Sequence, residues 1–339
     1  MIGLFVLRRL GSGFLVLIGV SVLIFALARV MPGDPARLAL GSSATSEQVE
    51  ALRLQLGLNR SIPVQYLGFV TRAVRGDFGI SLYSSRRVST DIAETFPATL
   101  ELVIVSTLLV GVLGVVLGVL AAMRRGTWTD KALQLVAVLG VVTPTFVWAV
   151  LLMLLFGFWL GWLPIAGRLS EWLLPPPHVT GLFIIDALLA GEWMLAGDAL
   201  RHVVLPAVAL SLPALGQTAR LTRVNMIEVQ RAPHIELMRA FGVPERSISF
   251  KYALRPASIP TLTIIGLEFV ALFGNAFLVE SVFMWPGMAR YGVQTILNKD
   301  LNGLMATVMV MTILFVVVNT VTDIVIAYVN PRIQGTDAV

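Results

Sequence analysis

The residues able to do chemistry in this sequence are few, and they lie far apart. His178, His202 and His234 are the only imidazoles, there is no cysteine, and neither an HExxH nor a GxSxG pattern occurs. A helix-borne zinc site needs paired histidines, and acyl transfer needs a nucleophile beside its base. Neither chemistry is expected here. The lack of cysteine also excludes disulfides and thiolate metal sites. No GxxxxGK[ST] run is present, and not even a Gly-Lys pair. A phosphate-cradling loop of that type is therefore missing, and the chain is expected to bind no metal and no cofactor itself. What remains are isolated polar groups in apolar surroundings. Glu268 stands inside TIIGLEFVALFGNAF, with Asn275 one to two helical turns further on. An ionised carboxylate at such a place costs about 2.5–3.5 kcal/mol on insertion scales. It is expected to face a pore or a partner, or to be held by a structural pair or an internal hydrogen bond.

The elements that must position these groups follow from composition. Hydrophobic residues fill 57% of the 339 positions and only 13% are charged. Soluble domains sit near 45–50% apolar and about 25% charged, so lipid must replace water over much of the surface. The sequence predicts an all-α integral membrane protein with six transmembrane helices, at about 10–31, 99–123, 132–160, 203–222, 257–281 and 303–329, each near the ~20 residues a span requires. The fourth is weakest because Pro206 and Pro213 interrupt it. The run 179–190 is too short to cross and carries Asp186, which fits a surface or re-entrant helix. The first apolar run is longer than the ~7–15 residue core of a cleaved leader, and no small-x-small site follows it, so a retained first helix is expected.

Orientation follows from Lys and Arg in the short flanks. With both termini inside, the inner flanks carry thirteen cations against four in the short outer loops. The net charge of +5 is thus read as a topology signal, with lipid and not nucleic acid as the surrounding partner. The chain divides at this level into 1–31, an extracytoplasmic module at 32–97, a core at 98–330 with an inner loop at 224–256, and a tail at 331–339. In the outer module Thr45 and Gln48 have capping-box spacing, Val49, Leu52 and Leu56 mark one helical face, and Gly57 suits the stop. The outer region 161–202 is expected to be a lid or packing loop without a core of its own. Pro144 is expected to kink the third span. Gly111, Gly114 and Gly118 permit close helix approach, against this chain or a second subunit. Trp159, Trp162 and Trp285 fit an interfacial belt, and Glu101 and Asp323 are expected to be structural.

The inner loop RLTRVNMIEVQRAPHIELMRAFGVPERSISFKYALRP is the most informative segment. Pro233 suits a first helical position, with Glu236 near the positive end and Arg239 near the negative end. Gly242 supplies a left-handed stop, and Pro244 with Glu245 can start a second helix leading into the fifth span. Ile235, Leu237, Met238 and Phe241 would stay exposed unless covered. Spacing alone leaves open whether lipid headgroups or a groove on another protein cover them.

The stretch Glu236-Leu237-Met238-x-x-x-Gly242 resembles the EAA loop of ABC importer permeases, with Leu237 and Met238 in place of two alanines and Phe241 where a lysine is common. Further motifs resemble the dipeptide, oligopeptide and nickel branch: MPGDP at 31–35, LGLNRSIPVQYL at 56–67, RGDFGISL at 75–82, FPATLEL at 96–102, LGWLP at 160–164, RLTR at 220–223, VFMWPGM at 282–288 and NPRI at 330–333. The ordered set covers nearly the whole chain. The resemblance implies the type I importer permease fold in a bacterial cell membrane, with this chain as half of a translocation path for peptides. It implies a second permease subunit, two ATP-binding subunits carrying ATP and Mg, and an extracytoplasmic solute-binding protein. Glu236, Leu237, Met238, Phe241 and Gly242 would dock on an ATPase, while Glu268 and Asn275 would line the path. At the position of Glu268 the family usually has an uncharged residue such as Gln. The same architecture could carry nickel chelates, glutathione or another small solute. More distant readings are an ion-gradient-driven transporter, which would rest on Glu268 as its only central carboxylate, and a membrane scaffold.

Overall fold

The computed structural model describes residues 2–30, 35–40, 44–55 and 57–329. Most of MPGDP, Leu56, NPRI, Arg332 and the tail lie outside the described residues, as does the side chain of Leu52. In chain order the helices are α1 (Ile2–Val30), α2 (Pro35–Leu40), α3 (Ser46–Gln55), α4 (Ile62–Val74), α5 (Val88–Met123), α6 (Trp128–Val142), α7 (Thr145–Trp159), α8 (Phe183–Leu189), α9 (Trp193–Val229), α10 (Pro233–Ala240), α11 (Glu245–Val282), α12 (Met288–Leu297) and α13 (Leu301–Val329). The only pairing of extended backbone among the described residues is one bridge between Ile80 and Arg87.

Among the described residues, five helices are long and apolar enough to cross a membrane, namely α1, α5, α9, α11 and α13, and α6 with α7 makes a sixth if the two count as one span. That pair corrects the reading of 132–160 as one kinked helix, because α6 and α7 meet at 109°. Thr143 is extended, with ψ 126°, and Pro144 lacks the N–H that would continue the ladder. The fourth span is the reverse case. Pro206 and Pro213 both lie inside α9, yet α9 runs unbroken for 37 residues. Neighbouring helices surround it, so a locally missing hydrogen bond is tolerated.

The chain forms two compact units, whose boundaries fall inside α5 and α13. One unit comprises Pro97–Pro286 with the chain from Val318, and α9 is its axis. Helix α9 packs against α5, α6, α7, α8 and α11. Small residues allow this closeness. A side chain on Gly114 or Gly118 would collide with Thr218 or Thr222 of α9, and one on Gly216 would collide with the Ala137 carbonyl. The glycine series of α5 thus packs, at these two positions, within the chain.

The other unit comprises Gly3–Phe96 and Gly287–Val317. Here α4 lies on α1 through Phe25, Tyr66 and Phe69, and Ser21 meets the Tyr66 hydroxyl at 2.7 Å. The capping box forms as read: the Thr45 N–H donates to Gln48 Oε1 and the Gln48 N–H to Thr45 Oγ1. Val49 is buried, and Gly57 turns the chain at φ +66°. The segment 79–87 is tied to the start of α13, with Ser81 donating to Asp300 at 2.5 Å and Asn302 donating to the Ile80 carbonyl.

Candidate coupling loop and intramembrane carboxylate

At the end of α9 the chain turns through Gln230–Ala232 and enters α10 at Pro233, whose ring fits the first helical position. Helix α10 ends in a Schellman motif: Gly242 N–H donates to Arg239 O (2.9 Å) and Val243 N–H to Met238 O (3.1 Å). Gly242 holds φ +74°, a region that disfavours any side chain by about 1 kcal/mol. Pro244 then precedes α11, as the sequence predicts.

The loop is anchored on one face and open on the other. Ile235 is fully buried in an apolar cluster with Val119, Met226, Ile248 and Ala257, and Met238 and Val243 pack against it. Of the four apolar residues that needed cover, Ile235 and Met238 find it in the chain itself, at the adjoining ends of α5, α9 and α11. Leu237 and Phe241 remain exposed, at 58% and 78%, one turn apart on the same face, with exposed Glu236 beside them. Arg239 fastens the ends of the loop. Its Nε donates to Glu245 at 2.6 Å and its Nη1 to the Gln230 carbonyl at 3.0 Å. The hydrogen bonds to Glu245 raise its pKa above the usual arginine value.

Sequence reasoning missed a second fastening at the root of this loop. Asp130, in the first turn of α6, accepts both Nε (2.7 Å) and Nη2 (2.8 Å) of Arg223 near the end of α9. Asp130 also accepts from the Gly126 N–H and from Gln134, and its own N–H donates to Thr127. The signal was a Thr-x-x-Asp cap at 127–130, with the arginine 93 residues further on inside the RLTR motif.

Among the acids of the spanning helices, partners divide them. Glu101 accepts from Arg168 Nη2 at 2.6 Å and from the Ile184 N–H, and the Arg168 guanidinium lies 3.6 Å from the Phe183 ring centroid. Burial lowers the Arg168 pKa, against the pull of Glu101. Glu280 is fully buried and accepts from Thr99 at 2.5 Å. Glu268 has no hydrogen-bond or ion-pair partner among the described residues and is half-buried. Asn275 is exposed on the same strip of α11, with Ala271 between them. The two proposed path residues therefore share a face, whereas the loop residues cluster at the foot of the same helix.

The outer loops need two corrections. Region 161–202 has a small core of its own, Ala187, Leu195 and Ala196 with Leu169 and Leu173. Asp186 organises its turn, accepting from the N–H groups of Val179, Thr180 and Gly181 and from the Thr180 hydroxyl. Burial pushes the Asp186 carboxyl up, but these bonds outweigh it and leave the pKa below the ordinary value. Trp285 is not interfacial. It is 1% exposed, and its indole N–H donates to the Ala98 carbonyl. Trp159 and Trp162 are exposed, as a belt requires.

The fold is that of a multi-pass helical membrane protein. The sequence places it within a family. Residues 114–335 match the profile of the binding-protein-dependent transport system inner membrane component, and residues 1–103 match the N-terminal profile of the same component. Among similar proteins is a probable D,D-dipeptide transport system permease of Escherichia coli K12, 40% identical over 319 residues and 94% of each chain. A di/tripeptide transport system permease of Pseudomonas aeruginosa is 37% identical over 97% of this chain and 98% of its own. A glutathione transport system permease of Escherichia coli K12 is 34% identical over 97% and 98%. The chain belongs to the family of binding-protein-dependent transport system inner membrane components.

Proposed function

We propose that this chain is one permease subunit of an ATP-driven importer and forms half of the path taken by peptides. A second permease completes the path, two ATP-binding subunits dock on α10 from the cytoplasm, and a solute-binding protein delivers cargo outside. Both termini are cytoplasmic. Nucleotide and Mg are held by the partners, and their closure acts through residues 233–255 on α11. The observation that carries this reading is α10 itself: a short helix with one face locked into the chain and Glu236, Leu237 and Phe241 presented on the other. A lipid-lying helix would need no Schellman stop and no Arg239 clasp to hold its angle. The relatives named for dipeptides and tripeptides support peptides as cargo, and the glutathione relative extends the same reading to a modified tripeptide.

The test is co-purification. The tagged chain is solubilised gently from native membranes and its partners are identified by mass spectrometry. A second permease and ATP-binding chains are expected, with the ATP-binding chains lost on Gly242→Leu. A Cβ at Gly242 meets nothing within 4 Å in this chain, so the variant keeps its fold apart from about 1 kcal/mol of backbone strain. Normal recovery of ATP-binding chains with Gly242→Leu would reject the docking role.

A further inference from the structure

Among the described residues the buried acids are each answered by a donor: Asp91 by Arg86, Glu101 by Arg168, Asp130 by Arg223, Asp186 by its turn, Glu280 by Thr99 and Asp300 by Ser81. Half-buried Glu268 has no such donor, although it sits near the middle of α11, where an uncompensated charge is most costly. Its strip is also unlike a lipid-facing one. Exposed positions of α13 include Ile313, Phe315 and Val317, whereas Glu268 shares its strip with Ala271 and Asn275, and Gly274 beside it borders open space. A carboxylate, a methyl group and a carboxamide suit a wetted path that passing solute touches. A cation carried by that solute would supply the missing countercharge.

The geometry points to Glu268 as the residue that receives the free ammonium group of a peptide in transit, with Asn275 meeting the peptide's far end. This inference rests on the peptide reading above and adds the group recognised. A terminal ammonium is the one cation that every unblocked peptide carries, whatever its side chains. Asn275 lies seven residues from Glu268, about 10 Å along the helix axis. An extended tripeptide spans about the same length, at roughly 3.5 Å per residue. The pair therefore suits di- and tripeptides better than longer chains. Glu268 carries a charge-assisted contact, and its amide replacement keeps the shape while removing the charge.

The experiment uses the whole importer in proteoliposomes with its delivery protein. Uptake of Ala-Ala-Ala is compared with uptake of the same peptide lacking only its terminal amine, propionyl-Ala-Ala, each supplied at saturation of the delivery protein as measured by calorimetry. The wild type is expected to favour the free amine about tenfold, and Glu268→Gln to reduce that preference to near unity, with Glu268→Asp retaining it. A preference unchanged in Glu268→Gln, or no preference in the wild type, would overturn the inference while leaving peptide import intact. Loss of the second permease from Glu268→Gln but not from Glu268→Asp would assign the charge to assembly and overturn it as well. Uptake of neither peptide by the wild type would reject the peptide reading, and the inference with it.

Discussion

Phe241 and Ile235 lie six residues apart, and the chain treats them in opposite ways. Ile235 fills the cluster beneath α10, while Phe241 stands almost wholly in the open. Truncating Ile235 to Ala should cost about 2–5 kcal/mol, as burial losses do, and should lower the melting temperature of the purified chain. Leu237→Ala with Phe241→Ala should change that temperature little, since exposed sites usually stay within about 0.5 kcal/mol, yet should release the ATP-binding chains. A melt lowered equally by both changes would mean that the outer face is structural. The sequence offered four apolar candidates here without separating them, because a period of 3.6 marks a stripe but not which neighbour covers it. Trp285 escaped the sequence reading for a related reason. Amphipathic side chains read as interfacial until the fold supplies a carbonyl for the indole.

At the scale of elements, hydropathy located each apolar helix long enough to cross but not its shape. The run 132–160 is apolar on both sides of Pro144, so nothing in composition reveals a 109° bend. The prolines of α9 mislead in the other direction, since their tolerance depends on surrounding helices. The bond between Asp130 and Arg223 belongs to this scale, because it fixes the first turn of α6 to the root of the proposed coupling loop. Asp130→Asn leaves a largely buried guanidinium without its countercharge and should destabilise the importer by about 3 kcal/mol. Adding Arg223→Gln should then cost little more. A double-mutant cycle on thermal unfolding checks this, and strictly additive losses would show that the two residues act separately.

For the whole molecule, charge bias makes a definite claim about sidedness. Under the proposed sidedness, with both ends and α10 in the cytoplasm, thirteen cations lie in the inner flanks against four in the short outer loops. Epitopes at either terminus should be cleaved by protease only in inside-out vesicles, and an epitope in 32–97 only in right-side-out ones. Any terminus cut from outside would invert the proposed direction of coupling.

Helix α11 gives that coupling a mechanical form. It runs from Glu245, beside the proposed ATPase contact, through a π-helical stretch at Ile248–Ala253 and past Pro260 to Val282, and Glu268 stands 23 residues above its foot. At 1.5 Å per residue this is a strut with its acid about 35 Å from the base, so a tilt of about 10° there sweeps the carboxylate sideways by about 6 Å. Such a throw exceeds the length of a hydrogen bond. The stroke that closes the nucleotide sites would then also be the stroke that tears cargo from Glu268, so that grip and release are set by the stiffness of one helix.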